Sequence, residues 1–262
     1  MDGMFEEAAI EQLERAARAA YHAIAEDYYT DLHPTSKAFS WTIDHYLQSF
    51  LPELKVGGFY LEVGSGRGRI QRLPGAQKAR LFLLDISEPM LRRKSDSEGS
   101  QNTYKVLGSA FALPFAESTM EGVFSFLGDP FSNTAYYVEA RRVAKCGAKF
   151  LHVIPHCEWG NELRRLLGIP LDTTFFVKDG QKIVAPSLLP AANAIERQLT
   201  GIGFTQISFR ELRLPRDYPE HSVPEHIVLP SKFLNLSPYE LPILLAVEAI
   251  AGHPPGKRSV FS

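Results

Sequence analysis

The residues able to do chemistry in this chain gather at one glycine turn and at the ends of a few apolar runs. Tyr60-Leu61-Glu62-Val63-Gly64-Ser65-Gly66-Arg67-Gly68 places an acid two residues before a GxGxG repeat. An apolar run entering a tight glycine turn lets a ligand approach the backbone where side chains would collide, and a helix start beyond it offers unpaired N–H groups. The acid suits a ligand that carries a cation near the turn. A dinucleotide fingerprint requires GxGxxG, but Arg69 stands where its third glycine belongs. A phosphate-binding P-loop requires Gly-Lys-Ser/Thr, which is absent. Further along, His152 and His156 flank Pro155 at the end of another apolar run. An imidazole of near-neutral pKa is a natural general base for a hydroxyl or an ammonium. His152 alternates with Leu151 and Val153, the pattern of a buried, satisfied side chain, so His156 is the better candidate.

The elements that must position these residues alternate. Phe5, Ala9, Leu13, Ala16, Ala20 and Ile24 recur at helical spacing, with Glu11, Glu14, Arg15 and Arg18 on other faces, which predicts one amphipathic helix ending near Tyr28-Tyr29. Pro34 breaks the chain; a second helix runs to Leu51 and is closed by Pro52 and Gly57-Gly58. Strands are then expected at 59–63, 80–84, 104–107, 122–127 and 150–154. Helices are expected around 67–73, after Ser87-Glu88-Pro89, and from Asn133 to Ala144 with Gly147 as its left-handed stop. Strands alternating with helices at this spacing argue for a parallel, doubly wound sheet. Beyond Pro155 a helix at 158–167, a hairpin around Asp179-Gly180, a helix at 190–199 and a strand at 204–212 are expected. A short strand at 226–229 and a final helix near 239–251 complete the reading.

Composition narrows the classes. The chain has 262 residues, 45% of them hydrophobic, enough for a substantial core, and a formal charge of −2. That balance gives no reason to expect nucleic acid or an anionic membrane as partner. Cys146 and Cys157 are too few for a disulfide framework or a cysteine-based zinc site, and no histidine series has ligand spacing, so no metal is assigned. The acidic N-terminus lacks the order of a signal peptide, and no apolar run approaches the ~20 residues of a membrane span. A cytoplasmic protein is expected.

Five segments, in order, carry a family resemblance. Tyr21-His22-Ala23-Ile24-Ala25 resembles the "YDxIA" segment, and Leu61 to Gly68 the acid-GxGxG motif, of class I S-adenosylmethionine-dependent methyltransferases. Leu83-Leu84-Asp85-Ile86-Ser87-Glu88-Pro89-Met90-Leu91 resembles their second motif, Leu113-Pro114-Phe115 their "LPF", and Glu139-Ala140-Arg141-Arg142-Val143 through Gly147 the helix and turn before the fifth strand. The likeness, covering roughly residues 20–212, is to the small-molecule, methyltransferase type 11-like kind. It implies a Rossmann-like, doubly wound, mostly parallel seven-stranded sheet with helices on both faces. The implied divisions are a helical cap (1–55), a core (56–212) with an acceptor-side insertion (157–190), and an extension (213–262) whose last strand and helix pack on the core.

The resemblance also implies an activity: transfer of a methyl group from S-adenosylmethionine to an O, N or C atom of a small metabolite. The alternatives are an RNA or protein methyltransferase, or a catalytically silent cofactor-binding regulatory module. By the same implication Asp85 takes the ribose hydroxyls and Glu62 the methionine amino group. Gly64, Ser65, Gly66 and Gly68 let the backbone approach, and Ile86, Ser109, Ala110, Phe111 and Phe126 complete the cofactor site. Ser109 departs from the family, which commonly has an Asp near this position for the adenine amino group. The loop Leu127 to Asn133 would face the transferred methyl, with Asp129 or His156 as base. Asp129-Pro130-Phe131 is a partial match to the "DPPY" of nucleic-acid amino-methyltransferases, without the second proline. Trp159 and Phe175-Phe176 are candidates to line an acceptor pocket, and Tyr21, Tyr28 and Tyr29 to lid it. The basic residues Arg67, Arg69, Arg72 and Arg92-Arg93-Lys94 read as solvated helix faces.

Overall fold

The computed structural model describes residues 2–50, 53–93, 102–169 and 172–253. Two cap helices, α1 (Asp2–Ile24) and α2 (Pro34–Phe50), precede β1 (Phe59–Val63), β2 (Arg80–Asp85), α3 (Glu88–Arg92), β3 (Thr103–Leu107) and β4 (Met120–Phe126). Then come α4 (Thr134–Val143), β5 (Ala144–Pro155), α5 (Cys157–Leu167), the hairpin β6 (Asp172–Phe176) and β7 (Lys182–Pro186), α6 (Ala192–Ile202), β8 (Phe204–Leu212), α7 (Glu225–Phe233) and β9 (Leu244–Ala251). Seven strands form one sheet in the order β3-β2-β1-β4-β5-β9-β8. The first five are parallel, and β9 runs antiparallel to both β5 and β8.

Alternation along each strand sends successive side chains to opposite faces. Tyr60, Phe124, Leu151 and Val153 pack with Phe39 and Ile43 of α2 and Trp159 of α5. Leu61, Val63, Val123, Phe150 and Ile154 pack on the other side with Tyr136 and Tyr137 of α4 and Ile195 and Leu199 of α6. Both faces are covered, as a parallel sheet requires. A third cluster joins Ala20 and Ile24 of α1 to Phe175 and Ala185 of the hairpin, so cap and hairpin meet above the sheet. The chain order reverses between β1 and β4: β2 and β3 are laid on one side of β1, then β4 and β5 on the other. A crevice opens at the carboxyl ends of the strands at such a switch point.

Several local expectations are corrected. The segment 226–229 is helical, inside α7; Pro224 sets its start and Ile227 and Pro230 bury one face. The segment near 239–251 holds no long helix but strand β9, buried on both faces between β5 and β8. A short apolar run reads alike for a buried helix and a buried strand, and only its neighbours decide. The 213–262 extension therefore contributes a strand to the sheet interior. The expected helix around 67–73 is one 3-10 turn, Ile70–Arg72. Gly147 keeps a left-handed φ of 83° but within β5, because α4 already stops at Ala144, whose extended backbone starts the strand. Asn133 caps α4 as expected, accepting from the Tyr136 N–H. The expected end of the second helix at Leu51-Pro52, and Lys94, lie outside the described residues. Among the described residues no helix is long and apolar enough to cross a membrane, and no group of His, Cys, Asp or Glu is arranged to hold a metal ion.

Candidate active site

The glycine turn after β1 is built around two buried carboxylates. Glu62 accepts from the N–H groups of Arg69 at 3.0 Å and Ile70 at 2.9 Å, one to each oxygen. It thereby ties the end of β1 to the 3-10 turn and caps its open donors. Burial pushes the Glu62 carboxyl up to about 7, against the pull of those two amides. Asp85, at the end of β2, accepts from Gly66 N–H and Ser87 N–H, each at 2.9 Å. Burial raises its pKa, opposed by the same amides. Two acids thus hold the loop from both sides. Each carboxylate oxygen has lone pairs beyond the one in use.

The loop between them is shaped to receive a ligand and is covered from above. Gly64 has φ 66°, and a Cβ there would stand 2.9 Å from the Phe131 ring. Gly66 has φ 49°, and a side chain on it would run into the Tyr29 hydroxyl, which accepts from Arg67 N–H. The Arg67 guanidinium lies 4.0 Å over the Tyr29 ring. Arg69 bonds Ser40 of α2 at 2.7 Å and pairs with Asp44, which Arg72 also meets at 3.1 Å. These arginines, expected as solvated faces, instead dock the cap on the glycine turn.

Two adjoining cavities follow. The first, of about 420 Å³, lies over the turn at the switch point and falls in the range of small-molecule sites, about 300–1,000 Å³. Its wall includes Glu62, Gly64, Ser65, Gly68, Asp85, Ile86, Ser109, Ala110, Phe111 and Phe126. Of the expected cofactor residues only Gly66 is absent from that wall; its N–H is spent on Asp85. The Ser65 hydroxyl, on this wall, is buried without a partner. The second cavity, of about 510 Å³, lies between the cap, α5 and the hairpin and includes Trp159, Phe175 and Phe176. Tyr21, Tyr28, Ser36 and Leu127 line both and mark the passage between them. Leu127 holds φ 61°, a left-handed backbone that costs a branched residue about 1–3 kcal/mol and tends to cluster at functional sites.

The two expected bases part company. Asp129 is buried on the wall of the second cavity. Burial pushes its carboxyl up to about 6, opposed by a hydrogen bond from the Ser187 hydroxyl and the charge of Arg164. His156 lines neither cavity; its N–H donates to the Ile243 carbonyl just before β9, and its ring lies 3.9 Å from Glu211 of β8. His152 is fully buried, its Nε2 2.7 Å from the Ser132 hydroxyl among Tyr136, Tyr137 and Phe150. It is a core histidine. Desolvation lowers its pKa from 6.5 to about 3. The unfolded chain therefore binds the proton first, and stability should fall as pH drops from about 6.5 toward 3. His152→Leu should remove that share of acid sensitivity in urea titrations at pH 7 and pH 5; an unchanged difference would count against it.

Glu14 and Arg164 are wall residues the sequence reading passed over. Glu14 was placed on an outer helix face, yet Glu14, Ala17 and Tyr21 all line the first cavity at spacings of three and four. That spacing was the available signal.

Residues 61–151 match the family described as methyltransferase domain. The core of the sheet is similar to a methyltransferase domain. The match spans the glycine turn, Asp85, the Ser109 loop, Asp129 and most of β5, and thus both acids that hold the turn. Solved structures with this domain's architecture overlay most of the chain. One is a chain of the complex between the Haloferax volcanii Trm112 methyltransferase activator and a methyltransferase, 15% identical, covering 90% of this chain and 98% of that one with a TM-score of 0.63. Another is an S-adenosylmethionine-dependent methyltransferase from Listeria monocytogenes, 16% identical over 83% and 99% of the two chains, TM-score 0.62. A third is phosphoethanolamine N-methyltransferase 2 from Haemonchus contortus in complex with S-adenosyl-L-methionine, 14% identical over 88% and 59%, TM-score 0.56. At these identities the likeness to each is one of fold. No curated protein matches the sequence.

Proposed function

We propose that this methyltransferase domain binds S-adenosylmethionine in the first cavity and transfers its methyl group to a small, largely apolar metabolite in the second. What carries the reading is the pair of cavities joined at Tyr21, Tyr28, Ser36 and Leu127. The first fits the donor by its own chemistry: acids at Glu62 and Asp85, a glycine backbone that side chains would fill, and the unpartnered Ser65 hydroxyl. Asp85 would hold the ribose. Glu62, already clamping the turn, would face the methionine ammonium with its remaining lone pairs. The sulfonium makes the methyl electrophilic when bound, so the protein's part is alignment, exclusion of water and proton removal.

The second cavity supplies the acceptor side. Tyr28, Phe39, Trp159 and Phe175 give it aromatic walls suited to an apolar body, and Asp129 a single buried carboxylate near the passage. Ionised Asp129 would orient the acceptor's O–H or N–H and take its proton as the atom attacks. A silent binding module has no need of this adjoining space. A nucleic-acid surface is disfavoured because Arg69 and Arg72 are spent on the cap. A cytoplasmic setting is part of the same reading, supported by the unpaired Cys146 and Cys157.

A screen of metabolites with methyl-labelled S-adenosylmethionine tests the activity, and Asp129→Asn tests its base. General-base loss costs about 100-fold or more in rate, so turnover should fall by that order while calorimetry shows unchanged cofactor affinity. With the Asp129 carboxyl at about 6, wild-type kcat/KM should rise with pH up to about 6 and then level. The variant should lack that rise. Full activity in Asp129→Asn would leave the loop a structural turn with no part in the transfer.

A further inference from the structure

We propose that Glu14, from cap helix α1 and outside the matched domain, reads the purine of the cofactor by accepting its exocyclic 6-amino group. The inference rests on the S-adenosylmethionine reading above. It follows from where the acids of the first cavity stand. Its wall holds four: Glu14, Asp44, Glu62 and Asp85. Asp44 is paired with Arg69 and Arg72, and Glu62 is tied to the turn after β1. Asp85 ends β2, and the next strand outward is β3, followed by the loop Gly108 to Phe111. A nucleoside whose ribose sat at Asp85 would have that loop, on the same cavity wall, beside its base. Glu14 is the acid that stands there.

The local bonding supports the assignment. The Ser109 hydroxyl donates to Glu14 Oε2 at 3.1 Å and accepts from Phe111 N–H at 3.0 Å. Its one proton is thereby spent on the carboxylate. Arg18 meets the other oxygen, Oε1, at 3.1 Å, which holds the carboxylate in place. Oε2 keeps a lone pair for an incoming donor. An ionised carboxylate only accepts, so it favours an amine at the purine 6-position over a carbonyl. The acid that the Ser109 loop lacks is supplied by the cap.

The same helix face has a second consequence. Glu14, Ala17 and Tyr21 lie on one stripe of α1, and Tyr21 reaches the passage to the second cavity. Purine capture by Glu14 would therefore anchor the helix that carries Tyr21 at the junction.

Calorimetry with two probes tests this: S-adenosylhomocysteine and S-inosylhomocysteine, which carries a carbonyl in place of the 6-amino group. Wild-type protein should prefer the adenine form by about tenfold or more, the discrimination of one charged hydrogen bond. Glu14→Gln is nearly isosteric at a partly exposed position, and its amide can also donate to a carbonyl. It should bind S-adenosylhomocysteine about tenfold more weakly and lose most of the preference. Ser109→Ala, which leaves the carboxylate, should keep the preference. S-Adenosylhomocysteine should also slow amide exchange along α1 in the wild type and less so in Glu14→Gln. An unchanged preference in Glu14→Gln, with normal wild-type binding, overturns the role of Glu14 alone. Failure of the wild type to bind S-adenosylhomocysteine at all overturns the donor assignment beneath it.

Discussion

Asp85→Ala should weaken S-adenosylmethionine binding by about a hundredfold, because two hydrogen bonds to a charged acceptor are worth about 3 kcal/mol or more and each 1.4 kcal/mol is tenfold. The loss has two physical sources. The direct one is the pair of ribose hydroxyls that the carboxylate would accept. The indirect one is the turn itself: Gly66 and Ser87 N–H groups each lose a partner at 2.9 Å. Asp85→Asn separates them, since one amide oxygen can keep one of the two backbone bonds while the charge is lost. The expected order of affinity is wild type, then Asn, then Ala, measured by calorimetry on variants whose thermal melts confirm folding. Unchanged affinity in Asp85→Ala would sink the donor assignment.

Glu62→Ala should be the most damaging of the site substitutions for the fold. It orphans the N–H groups of Arg69 and Ile70 within the protein, at a combined cost of about 2–5 kcal/mol. The glycine turn would loosen, and donor affinity would fall with it. The cost should depend on pH. The carboxyl titrates at about 7 when folded, against roughly 4.3 in an unfolded chain. A raised carboxyl pKa means the folded state holds the proton longer. Its stabilising effect is therefore full below about 4.3, declines as pH rises toward 7, and is level above. Glu62→Ala should consequently cost more at pH 5 than at pH 8. Urea unfolding at the two values reads the difference, and an equal loss at both would refute the buried-acid account.

The glycine turn and the two acids beside it were legible in the sequence because they are local. Glu62, the glycines and Asp85 sit at strand ends within two short stretches, and their spacing carries their geometry. The surroundings of the two expected bases were not. Asp129, after β4, lies on a cavity wall, but His156, equally close to a strand end, lines neither cavity and its N–H bonds Ile243 just before β9. Nothing in the sequence near His156 announces that partner almost ninety positions away. The misread final strand has the same cause, since a buried apolar run takes its form from what flanks it.

By itself the sequence determined the alternation of strands and helices and the placing of two acids beside the glycine turn. Those follow from side-chain periodicity and from backbone sterics at glycine, which act over a few residues. Only the tertiary structure decided that β9 enters the sheet interior, that the arginines dock the cap, and that α1 brings Glu14 and Tyr21 over the turn. Each of these depends on contacts between segments far apart in the chain, where burial and charge pairing, rather than local preference, set the outcome.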